Sequence, residues 1–138
     1  MDKCKARVRI VSRMTDPQGG IHEEKHARAG ALTQENGGIC LTYDDMQDGV
    51  RAHVVLSATT QAAQMQRTGE MTGALRFVPG QRVAGTYATA YGEIPVATFT
   101  HGVTLERTEA GGRLLLAYDV FVGGERTAFA EMDISWRL

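Results

Sequence analysis

The stretch Gln81-Arg82-Val83-Ala84-Gly85-Thr86-Tyr87-Ala88-Thr89-Ala90 alternates two sets of side chains. Val83, Gly85, Tyr87 and Thr89 fall on one face; Ala84, Thr86, Ala88 and Ala90 fall on the other. Successive side chains of a strand point to opposite faces, so period two reads as a strand. Tyr91-Gly92-Glu93 breaks the run, and Ile94 to His101 resumes it. Pro95 marks an edge position or a bulge, because proline cannot donate to the ladder. Val103 and Leu105 alternate up to Glu109, where Glu109-Ala110-Gly111-Gly112 turns the chain on glycines free to take positive φ. Arg113 to Val122 is almost continuously apolar, as expected of a strand covered on both sides. After Gly123-Gly124 a last strand sets Ala128, Ala130, Met132, Ile134 and Trp136 against Thr127, Glu131, Asp133 and Ser135, with Phe129 as the exception on the polar side. From Arg76 to Trp136 the chain therefore reads as five consecutive strands without a helix.

The N-terminal half follows the same grammar. Ala6, Val8, Ile10, Ser12 and Met14 alternate with Lys5, Arg7, Arg9, Val11 and Arg13, a half-buried strand with one wet, basic face. Asp16-Pro17-Gln18-Gly19-Gly20 is a turn. Ile21 to Glu35 has helical propensity, but a helix there offers the core only Ile21, Ala29 and Leu32. We read it as two strands bent near Gly30. Asn36-Gly37-Gly38 signals a hairpin, Ile39, Leu41 and Tyr43 alternate, and Asp44 to Gly49 turns the chain. Val50, Ala52, Val54 and Leu56 alternate again, and Thr59 to Ala63 fits either a short helical turn or a loop. Gln64 to Thr68 and Met71 to Val78 form a further hairpin, broken at Gly69-Glu70. About ten short strands in one chain tend to close, which removes exposed edges, and an up-and-down barrel is the simplest closure.

Composition bounds the function. The chain fits one domain spanning residues 1–138. At this length a domain buries roughly two-thirds of its unfolded surface and needs no disulfide or metal to hold a core. A net charge of −1 argues against a general phosphate-binding surface, so no nucleic-acid partner is expected. Met1-Asp2-Lys3-Cys4-Lys5 has no apolar core of a signal peptide, and no apolar run has the length of a membrane helix. The cytoplasm is the expected compartment, with Cys4 and Cys40 as free thiols.

His22-Glu23-Glu24-Lys25-His26 fits H-E-x-x-H, which binds zinc from a helix, where the two histidines share a face. On a strand they stand roughly 13 Å apart, too far for one zinc. Asp44-Asp45-Met46-Gln47-Asp48-Gly49 lacks the third- and twelfth-position ligands of a calcium loop, where Met46 and Val55 stand. Ser12, Ser57 and Ser135 lie outside any G-x-S-x-G elbow, and no glycine cluster opens a helix to cradle phosphate. Cys40 with His53 or His101 is the one conceivable nucleophile pair, and an inert strand thiol explains Cys40 as well. No cofactor and no metal is expected.

Arg76-Phe77-Val78-x-Gly80, then Tyr87, Tyr91-Gly92-Glu93 and Ala117-Tyr118-Asp119-x-x-Val122-Gly123 resemble the YwiB-type family, small bacterial proteins with a domain of unknown function. The resemblance implies a calycin-like, lipocalin-like β-barrel of about 8–10 strands and no established activity. The Gly-x-Trp of lipocalins is absent, since the single tryptophan, Trp136, lies in the last strand. Within the resembling segment the large polar or amphipathic residues are Arg76, Tyr87, Tyr91, Glu93 and Tyr118. If the barrel holds a cavity, Tyr87 and Tyr118 supply orienting hydroxyls and Arg76 meets an anionic head group. If it is filled, the tyrosines pack the core and Arg76 pairs with Glu93 at the rim. The reading is a binding module for a small, partly apolar molecule. Its alternatives are a protein-interaction scaffold with a filled barrel and an enzyme using Arg76, Glu93 and the tyrosines. A dimer is possible through the edge near Pro95 or the basic first strand.

Overall fold

The alternating stretches become ten antiparallel strands among the described residues, 3–35, 37–47 and 49–138, of the computed structural model. They are β1 (Lys3–Thr15), β2 (Ile21–Glu35), β3 (Gly38–Gln47), β4 (Val50–Thr59), β5 (Ala63–Gly69), β6 (Thr72–Phe77), β7 (Arg82–Thr89), β8 (Gly92–Thr108), β9 (Gly111–Val122) and β10 (Glu125–Arg137). Each strand pairs with its sequence neighbours, and β10 returns to β1, closing an up-and-down barrel. Closure satisfies the edges that an open sheet would leave as sticky N–H and C=O rows.

Up-and-down order puts five hairpins, β1–β2, β3–β4, β5–β6, β7–β8 and β9–β10, at one end, here the upper end. The other four connections, with Lys3 and Leu138, lie at the lower end. Directly opposed residues share a sheet face, so the register fixes which side chains enter the barrel. The row Ala6, Gly30, Tyr43, Val54, Arg67, Gly73, Tyr87 runs inside from β1 to β7. Val8, Leu41, Leu56, Phe77, Leu114 and Ile134 are at most 2% exposed and belong to one core. Phe77 meets Tyr118 at 4.6 Å between ring centroids, tilted as the aromatic quadrupoles prefer.

The lower end is shut. Trp136 lies over Gly112, its cross-strand partner, where any Cβ would strike the indole. Beside it Arg107 reaches across the barrel from β8, donating to the Gly38 carbonyl at 3.1 Å and to Gln34 Oε1 at 3.2 Å. The β6–β7 connection tucks against β8, where Thr98 Oγ1 donates to the Arg76 carbonyl at 2.6 Å and Gly80 N to the Thr100 carbonyl at 2.8 Å.

Several local readings change. Ile94–His101 and Val103–Glu109 are one strand, β8, whose register shifts between Thr100 and Gly102. The extra residue, His101, moves the inward set from Thr98 and Thr100 to Val103 and Leu105, which reads in sequence as a break. Ile21–Glu35 is one continuous strand, paired with β1 from Ile21 to Thr33 without a break at Gly30. Asp44–Gln47 continue β3 rather than turning, and Asn36 and Asp48 of the two hairpin signals lie outside the described residues. β9 is covered on its inner side only: Leu115, Ala117 and Phe121 are half-buried on the outside. Thr59 to Ala63 is a turn closed by Thr59, whose backbone N donates to the Ala62 carbonyl. Pro95 sits where the reading requires: β8 pairs with β7 there, and its ladder with β9 begins only at Val96.

Candidate functional site

Two seams of the wall are thin. β2 pairs with β3 only over Gly30–Glu35, leaving Ile21–Ala29 without a β3 partner. β6 pairs with β7 at only two positions, Thr72↔Ala88 and Gly73↔Tyr87. The first seam opens toward the upper end, and the polar side chains of the interior gather beside it.

Asp45 is 8% exposed, which a carboxylate tolerates only when paired and hydrogen-bonded. Arg28 Nε donates to Asp45 Oδ1 at 3.0 Å, Arg28 Nη2 stands 3.0 Å from the same oxygen, and Met46 N donates to it at 3.0 Å. Arg28 also spans the seam, donating to the Ala27 carbonyl of β2 at 2.9 Å and to the Met46 carbonyl of β3 at 3.2 Å. Its Nη2 meets His26 Nδ1 at 3.3 Å. A guanidinium only donates, so Nδ1 accepts, and the imidazole proton sits on Nε2, 3.3 Å from Glu24 Oε2.

Arg67 completes the group. Its Nη2 lies 3.6 Å from Asp45 Oδ2, and it makes no hydrogen bond among the described residues. Two guanidiniums thus face one carboxylate, leaving an excess of positive charge, with each arginine side chain 24% exposed. Tyr43 and Tyr87 share the inward row with Arg67. Burial, then the Asp45 charge, pushes the Tyr43 phenol up to about 12, against the opposite pull of Arg67 and Arg28. Burial raises Tyr87 against Arg67, and burial followed by Tyr87 raises Tyr118. All three stay neutral donors near neutrality.

Above this layer the barrel is open. Met14, Val50, Ile94 and Val122 face the barrel axis by register, yet each is 37–39% exposed. Ile21, Met46, Met71 and Tyr91 stand at or beside the same hairpin tips. Of the nine large apolar side chains that are exposed among the described residues, only Leu138 lies at the other end. Hairpin tips are ordinarily polar, so an apolar rim fed by all five hairpins is a distinct feature. A cleft of about 740 Å³ adjoins it, lined among others by Arg28, Asp45, Ala52 and Gly69.

The five residues singled out from sequence are divided by the fold. Tyr87 is half-buried and Tyr118 buried, both on the inner face, and Tyr87 adds to the upward shift of Tyr118. Tyr91 is fully exposed at the β7–β8 tip. Arg76 is exposed on the outer face of β6, opposite Gln64. Glu93 is exposed on the outer face of β8, opposite Ala88, and forms no ion pair with Arg76. The acid–base set of the enzyme alternative is therefore not assembled around Glu93. His22 and His26 lie on strand β2. Cys40 faces Ser57, while His53 is held by Asp44 and His101 by Asp119. Arg28, Asp45 and Arg67 escaped sequence reading. Their signal was a charged residue at an inward period-two position, as in Ala63, Met65, Arg67.

Among the described residues no helix is long and apolar enough to cross a membrane. An uncharacterized β-barrel protein, YwiB of Bacillus subtilis (strain 168), is 26% identical over 98 residues, 71% of this chain and 69% of its own. The crystal structure of the Bacillus subtilis YwiB protein superposes with a TM-score of 0.88 at 21% identity, over 98% of this chain and 92% of that one. The fold is thus shared at low identity, as expected when barrel geometry depends on alternation rather than on particular residues. Residues 8–134 match the family described as "Domain of unknown function (DUF1934)", and the chain belongs to that family.

Proposed function

We propose that the protein is a binding module for a small amphipathic anion, taken up at the upper end of the barrel. The observation that carries this reading is Arg67: a guanidinium inside the mouth, without a hydrogen bond among the described residues, beneath an apolar rim. Asp45 meets the Arg67 fork at only 3.6 Å, so the remaining N–H donors of Arg67 are open to a ligand carboxylate or phosphate, which a guanidinium binds with charge-assisted, bidentate hydrogen bonds. Arg28 and Asp45 hold the site in shape, the Tyr43 and Tyr87 hydroxyls orient the head group, and the apolar rim takes the tail. The cleft of about 740 Å³ beside the mouth is reached from Arg28 and Asp45, and Arg67, Tyr43 and Tyr87 lie inside the barrel next to it. The lower half, filled around Phe77 and Tyr118, supports the filled-barrel alternative for that half alone. The free thiols Cys4 and Cys40 support a cytoplasmic location, which fractionation of the source cells tests.

Isothermal titration with decanoate and with 1-decanol separates head from tail. Decanoate is expected to bind at least about tenfold more tightly than decanol, the worth of one charge-assisted hydrogen bond. Arg67→Ala should erase the difference. Equal binding of both compounds by the unaltered protein, or by neither, refutes the reading.

A further inference from the structure

The outer wall of β7–β10 and β1 carries a second surface that the mouth does not use. Three of the four phenylalanines, Phe99, Phe121 and Phe129, are half-buried on the outside of adjacent strands. Phe99 and Phe129 both pack edge-on against His101, and Arg82 lies 4.1 Å over the Phe121 ring. Aromatic rings braced by arginine are the composition of binding hot spots. Next to this aromatic group the same face sinks into a hollow of about 380 Å³, floored by Gly102, Leu115 and Ala117. The continuously apolar β9 owes its outer half to these residues.

We propose that this face binds a second copy of the chain in an isologous dimer, the aromatic group of each copy entering the hollow of the other. A two-fold interface requires a self-complementary patch. Ridge beside hollow supplies that in shape. Charge suits it too, because the face mixes signs: Arg13, Arg82, Arg113 and Arg126 lie with Glu106, Asp119, Glu131 and Asp133, Arg9 at the border adds a fifth cation, and Arg113–Asp133 and Arg126–Asp119 are paired within the chain. The neighbouring face, with Lys5, Arg7, Arg9 and Arg137 around a groove of about 840 Å³, is of one sign and repels its own copy.

Analytical ultracentrifugation of the full chain tests this. The unaltered protein is expected to pass from its monomer mass of 15.0 kDa to twice that as concentration rises. Ala117→Arg fills the hollow and should hold the protein monomeric, with its melting temperature retained. Glu131 is exposed and outside the ion pairs, so Glu131→Arg leaves the fold intact should Ala117→Arg disturb it. It breaks the charge balance and should weaken association at least about tenfold at low salt. Arg7→Glu should leave the hollow's interface in place. A protein monomeric throughout the micromolar range overturns the proposal. So does a dimer that survives both face variants, or one abolished only by Arg7→Glu.

Discussion

Asp45→Asn removes one negative charge and almost no volume. The amide keeps its oxygen at the Oδ1 position for the Met46 N–H and for Arg28, but it turns an NH₂ toward the Arg67 guanidinium, which can only donate. Arg28 and Arg67 are then left without a counter-charge. Breaking a fully buried pair costs about 3–5 kcal/mol. Both arginines are 24% exposed, so water recovers part of that, and we expect a loss of about 2–3 kcal/mol. For a chain of this size that lowers the melting temperature by roughly 6–12 °C. Asp44→Asn is the internal control. Asp44 is the next residue, 86% exposed and bonded to His53 at 2.8 Å, and its loss should cost under about 0.5 kcal/mol. Differential scanning calorimetry of the two variants reads the contrast. A second readout is the tyrosinate absorbance: with Asp45 neutral, Arg67 and Arg28 act alone on Tyr43, whose ionisation should move down from about 12. If Asp45→Asn melts within about 2 °C of Asp44→Asn and Tyr43 does not move, Asp45 is not the counter-ion of the mouth.

Other outcomes follow from the same physics. Thr98→Val strips a donor from the Arg76 carbonyl in a site 1% exposed and should cost about 1–2 kcal/mol in urea unfolding, whereas Thr100→Val removes a buried hydroxyl that has no partner among the described residues and should be neutral or stabilising. Gly73→Ala drives a methyl into the Tyr87 ring and the Thr86 carbonyl and should destabilise by about 1–3 kcal/mol; an unchanged melting temperature contradicts the placement of Tyr87 over Gly73. Above pH 10 the unfolded chain ionises Tyr43 while the folded one retains its proton, so stability present below pH 10 should fall by about 1.4 kcal/mol per pH unit until about pH 12, with Tyr87 and Tyr118 adding in the same direction. Burial pushes the Asp119 carboxyl up, but hydrogen bonds from His101 and Arg126 outweigh it and hold the group below its ordinary value. Its stabilisation is present above the ordinary carboxylate range and lost as pH falls through the lowered value, so His101→Ala should raise the Asp119 titration seen by NMR.

The barrel was legible because closure needs only period-two alternation and glycine turns, and the inward faces of β1 and β10 appear in sequence residue by residue. What hid the rest was local. A single bulged residue, His101, split β8 by reversing its phase. A charged, weakly patterned β2 looked broken because its upper half lies along the thin seam, with water on one side and the mouth on the other. Asp44-Asp45 resembled a turn because acidic pairs favour turns, yet Asp45 is drawn inward by two arginines distant in sequence. The site residues suggested by likeness to a family were chosen by chemistry within one segment. Tyr87 and Tyr118 face inward because their positions obey the alternation, whereas Arg76 and Glu93 occupy outward positions of the same pattern. The charged layer of the mouth is assembled from β2, β3 and β5, and only register brings those strands together.

Native mass spectrometry of the purified protein, followed by the same sample denatured, reads directly whether the mouth of the barrel holds an anion. An amphipathic anion held by Arg67 should appear as excess mass in the native spectrum, vanish on denaturation and be missing from Arg67→Ala. Equal masses for the native and denatured protein, or an adduct that Arg67→Ala retains, would contradict it.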